Sequence, residues 1–401
     1  MYLLPKPKTI KEQDGQMLLC HSTHIVMTKE VAETEMHAAK RLQEAIRQET
    51  GLILPFSVGE VREGDLSLGI AKTLPEQTYE ITIDEKGGQI SGGDGAGVLY
   101  GVETFCQIVQ QCGGILPCVQ IQDAPDMPNR GYYFDQTRGR VLKLEELKKI
   151  ADRMCRYKLN QLQLYVEHTY LFRDFSEMWR DQTPLTAEEI LELDSYCRER
   201  HIELVPSLAS FGHLCTLLST KTYGDLCEME DSWKEPFSFW NRMRYHTINV
   251  SDERSLPLIK KMIAEYMQLF SSNKFNICAD ETFCLGKYKS KKLAEERGVH
   301  RLYIDYVKEL AQFLVENGKI PMFWGDIIWN SPELMKELPE SMICLNWGYA
   351  PEQREDETRA IAQTGAVQYL CPGVCGWNQW ANLIENSYKN ITRMCGYAAK
   401  Y

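Results

Sequence analysis

Asp-Glu dipeptides occur at residues 84–85, 252–253, 280–281 and 356–357, and only Asp280-Glu281 closes an apolar run, Phe275-Asn276-Ile277-Cys278-Ala279. The pair therefore falls at the carboxyl end of a predicted strand, where two carboxylates offer acid-base and electrostatic chemistry. A solvated strand end is the plainer use of the same residues. The other predicted strands end comparably: Asp135 and Arg138 follow the first, Glu167 and His168 the second, His213 the third. Trp324 and Asp326 lie at the fifth, Trp347 and Tyr349 at the sixth, and Trp377 beyond the seventh. Aromatic faces can stack on a pyranose ring, charged groups can bind its hydroxyls, and a carboxylic acid can protonate a leaving oxygen. Such a rim points to a sugar site, and the convergence says more than any member. Singly, Arg138 and Asp135 could simply pair with each other, His213 could be a satisfied turn histidine, and the tryptophans could fill the core.

Those residues need a scaffold that gathers strand ends. From Gly131 onward, short apolar strands alternate with longer amphipathic helices, the pattern of a parallel α/β fold. Strands are expected at 131–135, 161–167, 202–208, 275–280, 320–326, 341–347 and 366–374. Leu147, Ile150, Ala151 and Met154 share one helical face, as do Tyr303, Tyr306, Val307, Leu310 and Leu314. Thr186-Ala187-Glu188-Glu189 reads as a capping box opening another helix. One-sided helices suit the outer ring of a (β/α)8 TIM-type barrel, whose sites lie at the strands' carboxyl ends. An open, doubly wound sheet is the alternative, but no glycine-rich phosphate loop follows any strand. The pattern reaches seven units, so the expectation is a catalytic barrel over 125–401, truncated before strand 8. Residues 1–124 read as a small α+β domain, with strands near 23–28, 66–70 and 79–83 and helices near 30–49 and 98–111. Asp123-Ala124-Pro125-Asp126-Met127-Pro128 is the expected boundary.

Composition narrows the function classes. The 401 residues are 44% hydrophobic and 25% charged, and no apolar run approaches the ~18 residues of a membrane span. A formal charge of −11 with scattered cations argues against nucleic acid as a partner. The opening residues lack a signal-peptide core, and the 14 cysteines have no compact spacing, so reduced thiols and a cytoplasmic location are expected. Cys371 and Cys375 have no companion His or Cys at metal-ligand spacing. Neither metal nor cofactor is expected, and the oligomeric state is open.

From about residue 79 to the end, the motifs resemble family twenty glycoside hydrolases, the β-N-acetylhexosaminidases. Asp123-Ala124-Pro125 with Arg130-Gly131-Tyr132-Tyr133-Phe134-Asp135-Gln136-Thr137-Arg138 is similar to that family's entry into its first strand, and Lys158-Leu159-Asn160 leads similarly into the second. Val205-Pro206-Ser207-Leu208-Ala209-Ser210-Phe211-Gly212-His213 resembles its third-strand motif, and Asp280-Glu281 its catalytic pair. The strand-4 motif usually reads His-x-Gly-x-Asp-Glu, whereas Asn276 and Cys278 stand in the His and Gly places here, and Glu167-His168 replaces an acidic pair after strand 2. These departures, with Phe211-Gly212-His213-Leu214, resemble a divergent hexosaminidase D type branch.

The resemblance implies removal of a terminal β-linked GlcNAc or GalNAc from a carbohydrate. Glu281 would be the general acid and the substrate's acetamide the nucleophile, because neighbouring carboxylates cannot readily flank a glycosidic bond. Asp280 would hold the acetamido N–H and Tyr349 its oxygen. Arg138, helped by Asp135 or Glu167, would bind hydroxyls beside His213 and Asp326, within a wall of Trp324, Trp347 and Trp377. The rival readings are a sugar-binding barrel without turnover, and a glycosidase whose own Glu167 or Asp326 is the nucleophile.

Overall fold

The structure is a computed structural model that describes residues 1–401 apart from Asn378, with only the backbone of Asn330 described. Its contacts divide the chain into two compact units. One comprises residues 1–132, 145–162 and 195–203, and the other residues 133–144, 163–194 and 204–401.

The first unit contains strands β1 (Thr9–Leu18), β2 (Ile25–Met27), β3 (Phe56–Val58), β4 (Leu66–Ile70), β5 (Tyr79–Asp84), β6 (Gly87–Gly92) and β7 (Ile115–Asp123). They form one mixed sheet in the order β1-β7-β5-β6-β4-β2-β3. The helix Gly95–Cys112 is buried almost throughout Ala96–Val109. It starts three residues before the expected position because Asp94 caps it, accepting the Gly97 N–H at 2.8 Å. Gly97 also lets this helix approach the sheet, since a Cβ there would sit 2.2 Å from the Thr78 carbonyl oxygen. The helix expected over 30–49 is two pieces, Lys29–Thr34 and Met36–Thr50, broken at Glu35.

The second sheet contains β8 (Gly131–Asp135), β9 (Gln161–Val166), β10 (Glu203–Leu208), β11 (Lys274–Asn276), β12 (Ile320–Trp324), β13 (Ile343–Trp347) and β14 (Gln368–Cys371). Its order, β14-β13-β12-β11-β10-β9-β8, follows the chain, and every pair from β10 to β14 is parallel. Sequential parallel strands with intervening helices are the architecture of a TIM-type barrel. The expected capping box is present: Glu189 N–H donates to Thr186 Oγ1 at 3.2 Å, and Thr186 N–H donates to Glu189 Oε2 at 2.9 Å. The helix it opens spans Ala187–Arg198. All fourteen cysteines are free thiols. Among the described residues no helix is long and apolar enough to cross a membrane.

One strand departs from expectation where it matters. The run expected over 275–280 is extended only as far as Asn276, so Asp280 and Glu281 stand on a loop and not on the strand itself.

Candidate active site

Asn276 ends β11. Its fully buried side chain accepts the Cys278 N–H at 2.8 Å and donates to Gln163 Oε1 at 3.0 Å. The backbone then turns left-handed at Cys278 (φ 57°), Ala279 (φ 64°) and Glu281 (φ 48°). Each non-glycine residue so placed costs about 1–3 kcal/mol and persists only where its surroundings fix it. They do so here: Ser210 Oγ donates to the Ile277 carbonyl at 2.5 Å, Trp324 N–H to that of Cys278 at 2.8 Å, and Tyr303 Oη to that of Ala279 at 3.0 Å. Cys278 thus occupies a conformation that glycine, the residue of the usual motif, adopts without strain. Gly212 completes the clamp, because a Cβ there would lie 2.5 Å from the Asp280 carbonyl oxygen.

His213 follows Gly212 and is buried against both carboxylates. Its Nε2 lies 3.4 Å from Asp280 Oδ2 and 3.3 Å from Glu281 Oε2. Burial opposes protonation of the ring, but the Asp280 charge and the nearness of both carboxylates to Nε2 outweigh it and push the group up to about 10. Burial likewise works against ionisation of Asp280, yet His213 and Arg138 hold its carboxyl below the ordinary range. The ligand atoms of His213, Asp280 and Glu281 lie within 4.8 Å of one another, close enough to hold a metal ion.

Asp326 meets the same loop from β12, accepting the Glu281 N–H on Oδ2 at 3.1 Å, while its buried Oδ1 has no hydrogen-bond partner. Burial first, then the charges of Asp280 and Glu281, push this carboxyl up to about 7. The folded state therefore prefers Asp326 protonated, and its contribution to stability is present below the ordinary carboxylate range and lost as pH rises through about 7. An Asp326→Asn protein mimics the protonated form. Its denaturation midpoint is expected to gain on the native chain between pH 5 and about 8; parallel midpoints over that range would refute the shift.

Arg138 follows β8, and its charge acts on both Asp280 and His213. Asp135 shapes its turn by accepting the Thr137 and Arg138 N–H groups at 2.9 and 2.8 Å, and its second oxygen lies 2.8 Å from Arg138 Nε. The two residues do pair, but the guanidinium also lies over the Tyr165 ring at 4.5 Å and carries the field of Asp280. Glu167 is 3% exposed: Tyr165 Oη donates to one oxygen at 2.9 Å and Arg242 to the other at 2.8 Å. Trp324 is almost buried, edge-on to Tyr133 at 4.9 Å. Trp347, Tyr349 and Trp377 form a row with centroids 5.0 and 4.6 Å apart. Tyr349 is 40% exposed, so its ring is open to solvent within this row.

The expected residues thus form a carboxylate–histidine cluster, an arginine cluster and an aromatic row. Sequence reasoning missed Arg242, which lies in the helix Phe239–Arg244 far from any strand end, and Trp329, which packs on Trp347 at 5.5 Å. Tyr133 was also missed, although its inward place on β8 was a usable signal; its hydroxyl meets Ser207 Oγ at 3.0 Å beneath Cys278.

The profile of the glycosyl hydrolase family 20 catalytic domain matches residues 128–397. The chain belongs to glycosyl hydrolase family 20. The profile of the family's domain 2 matches residues 1–124. A relative, the beta-hexosaminidase of Porphyromonas gingivalis, is 24% identical over 93% of this chain and 50% of its own length. That of Vibrio furnissii is 26% identical over 70% of this chain and 48% of its own. The chain therefore spans about half the length of these curated relatives. A solved mutant Streptomyces plicatus beta-hexosaminidase in complex with product GlcNAc superposes with a TM-score of 0.79, covering 96% of this chain and 80% of that one at 18% identity. At that identity the likeness speaks for the fold.

Proposed function

We propose that this family 20 chain is a β-N-acetylhexosaminidase that removes terminal non-reducing N-acetylhexosamine with retention of configuration. The observation that carries the reading is that Asp280 and Glu281 share one clamped loop, with His213 Nε2 within 3.4 Å of both. Carboxylates so placed act from one side of a glycosidic bond, so the nucleophile must come from the substrate. Glu281 gives its proton to the glycosidic oxygen as the acetamido carbonyl oxygen attacks C1 and the C1–O bond breaks, forming an oxazolinium. Asp280 accepts the acetamido N–H and stabilises the positive charge that develops there. Water then adds to C1 and gives a proton back to Glu281, while the bond from C1 to the acetamido oxygen breaks and the acetamide is restored. Tyr349 donates to the acetamido oxygen, Arg138 binds ring hydroxyls, and Trp347 and Trp377 face the sugar.

The rival with an enzymic nucleophile finds less support. Both Glu167 oxygens already accept hydrogen bonds, and Asp326 is tied to the backbone of Glu281 itself. The names of the curated relatives and the GlcNAc held by the Streptomyces plicatus protein favour turnover over mere binding. Fourteen unpaired thiols support a cytoplasmic location.

Aryl β-N-acetylglucosaminide and β-N-acetylgalactosaminide are expected to be hydrolysed, and the aryl β-glucoside, which lacks the acetamide, left intact. A thiazoline mimic of the oxazoline is expected to inhibit. Equal turnover of the glucoside, or a covalent glycosyl-enzyme trapped by a fluorosugar, would overturn the substrate-assisted reading.

A further inference from the structure

The first compact unit holds a concavity that shares no residue with the candidate active site. Its volume is about 540 Å³, within the ~300–1,000 Å³ of small-molecule sites. Helical spacing builds it. His37, Lys40, Arg41 and Glu44 share one face of the helix Met36–Thr50, and Glu103, Cys106 and Gln110 share one face of Gly95–Cys112. Asp152, Arg153 and Arg156 come from the helix Leu144–Arg156, and Arg200 follows Ala187–Arg198. The lining thus sets five cations against three carboxylates, in a chain whose net charge is −11.

Those carboxylates are already taken. Glu103, 3% exposed, accepts from the Arg41 guanidinium and, at 3.4 Å, from the Cys155 thiol. Asp152 accepts from Arg200 Nε at 2.8 Å and from Tyr196 Oη at 3.0 Å. Glu44 accepts two bonds of 2.7 Å from Arg47. Among the described residues Lys40, Arg153 and Arg156 are left without an ion pair, and Arg156 has only Gln110 Oε1, at 3.0 Å. His37 adds a buried Nε2 with no hydrogen-bond partner, while its Nδ1 lies 3.8 Å from Glu199. Burial first, then the Arg200 and Arg41 charges, push this imidazole down to about 4. The ring is therefore neutral, held in a positive field.

We propose that this cavity binds the phosphate group of a small molecule, a phosphate ester or free phosphate. Arg153 and Arg156 stand one helical turn apart, and their planar guanidinium forks match phosphate oxygens as bidentate donors. Lys40 adds a point charge, and His37 Nε2 a further hydrogen-bonding atom. A phosphate near its second ionisation brings a charge approaching −2, which the three unpaired cations balance better than they would a monoanionic carboxylate. The proposal is independent of the hexosaminidase reading, since none of these residues takes part in the hydrolysis.

Calorimetry at low ionic strength, where exposed charges are least screened, tests it with inorganic phosphate, glucose 6-phosphate and glucose. The native chain is compared with an Arg153→Gln/Arg156→Gln protein, changed at two exposed side chains so that the core is left alone. Both phosphate compounds are expected to bind the native chain more tightly than glucose does, and the double variant to lose on the order of tenfold or more in affinity for them. An ester that binds on the order of tenfold more tightly than inorganic phosphate would assign the site to an organic phosphate; equal affinities would assign it to the free ion. Proton NMR gives a second readout. A bound anion favours the imidazolium, so saturation with phosphate is expected to move the His37 titration upward from about 4. Absence of binding by either phosphate compound, undiminished affinity in the double variant, or an unmoved His37 at saturation would overturn the proposal.

Discussion

The Glu281→Gln protein is expected to fold and to lose at least about 10²-fold in kcat, the scale of a missing general acid. Its side chain is a quarter exposed, and the loop around it is held by backbone groups, namely its own N–H on Asp326 and the carbonyls of Ile277, Cys278 and Ala279. None of these involves the carboxyl group, so the amide preserves the shape and removes the proton. The deficit should depend on the leaving group. A glycoside of an acidic phenol needs little protonation and should be affected least, whereas an alkyl glycoside should approach complete loss. A series of aryl and alkyl glycosides with leaving groups of graded acidity reads this directly. An equal deficit across the series, or none, would deny Glu281 the role of acid.

For Asp280→Asn the expected loss is also on the order of 10²-fold or more, as for other groups aimed at charge developing in a transition state. The amide cannot supply the negative charge that offsets the acetamido nitrogen as the oxazolinium forms. A second readout follows from His213. In the native chain its raised pKa contributes stability that is present below the ordinary histidine range and is lost as pH rises through about 10. With the Asp280 charge removed, burial opposes protonation with less to balance it, so His213 should titrate well below 10 and that alkaline loss of stability should shrink. Proton NMR of the histidine ring, with denaturation midpoints from pH 6 to about 10, tests the coupling. Unchanged kinetics would remove the catalytic role, and an unchanged His213 titration would remove the electrostatic one.

Local pattern was enough to read much of this protein. Apolar runs alternating with one-sided helices signalled a parallel barrel because burial on one face imposes its period on each element. The Thr186–Glu189 box was legible because a helix cap is made within four residues. The strand-end positions of Asp135, Arg138, Glu167, His213, Asp326 and Tyr349 were legible because a barrel gathers its strand ends on one rim. What the tertiary structure alone decided is how those groups are held. The length of β11 depends on Asn276 finding Gln163, and its left-handed continuation depends on Ser210, Trp324 and Tyr303 arriving from distant segments. Glu167 offered itself as a free carboxylate until Arg242, 75 positions away, and Tyr165 occupied its oxygens. Trp324 and Trp377 share a residue type but not an exposure, 7% against 53%, since each takes its neighbours from the fold. Residue types and their period come from the chain itself, but the contacts that hold the site also join residues as far as 145 positions apart, and only the folded chain brings those within reach.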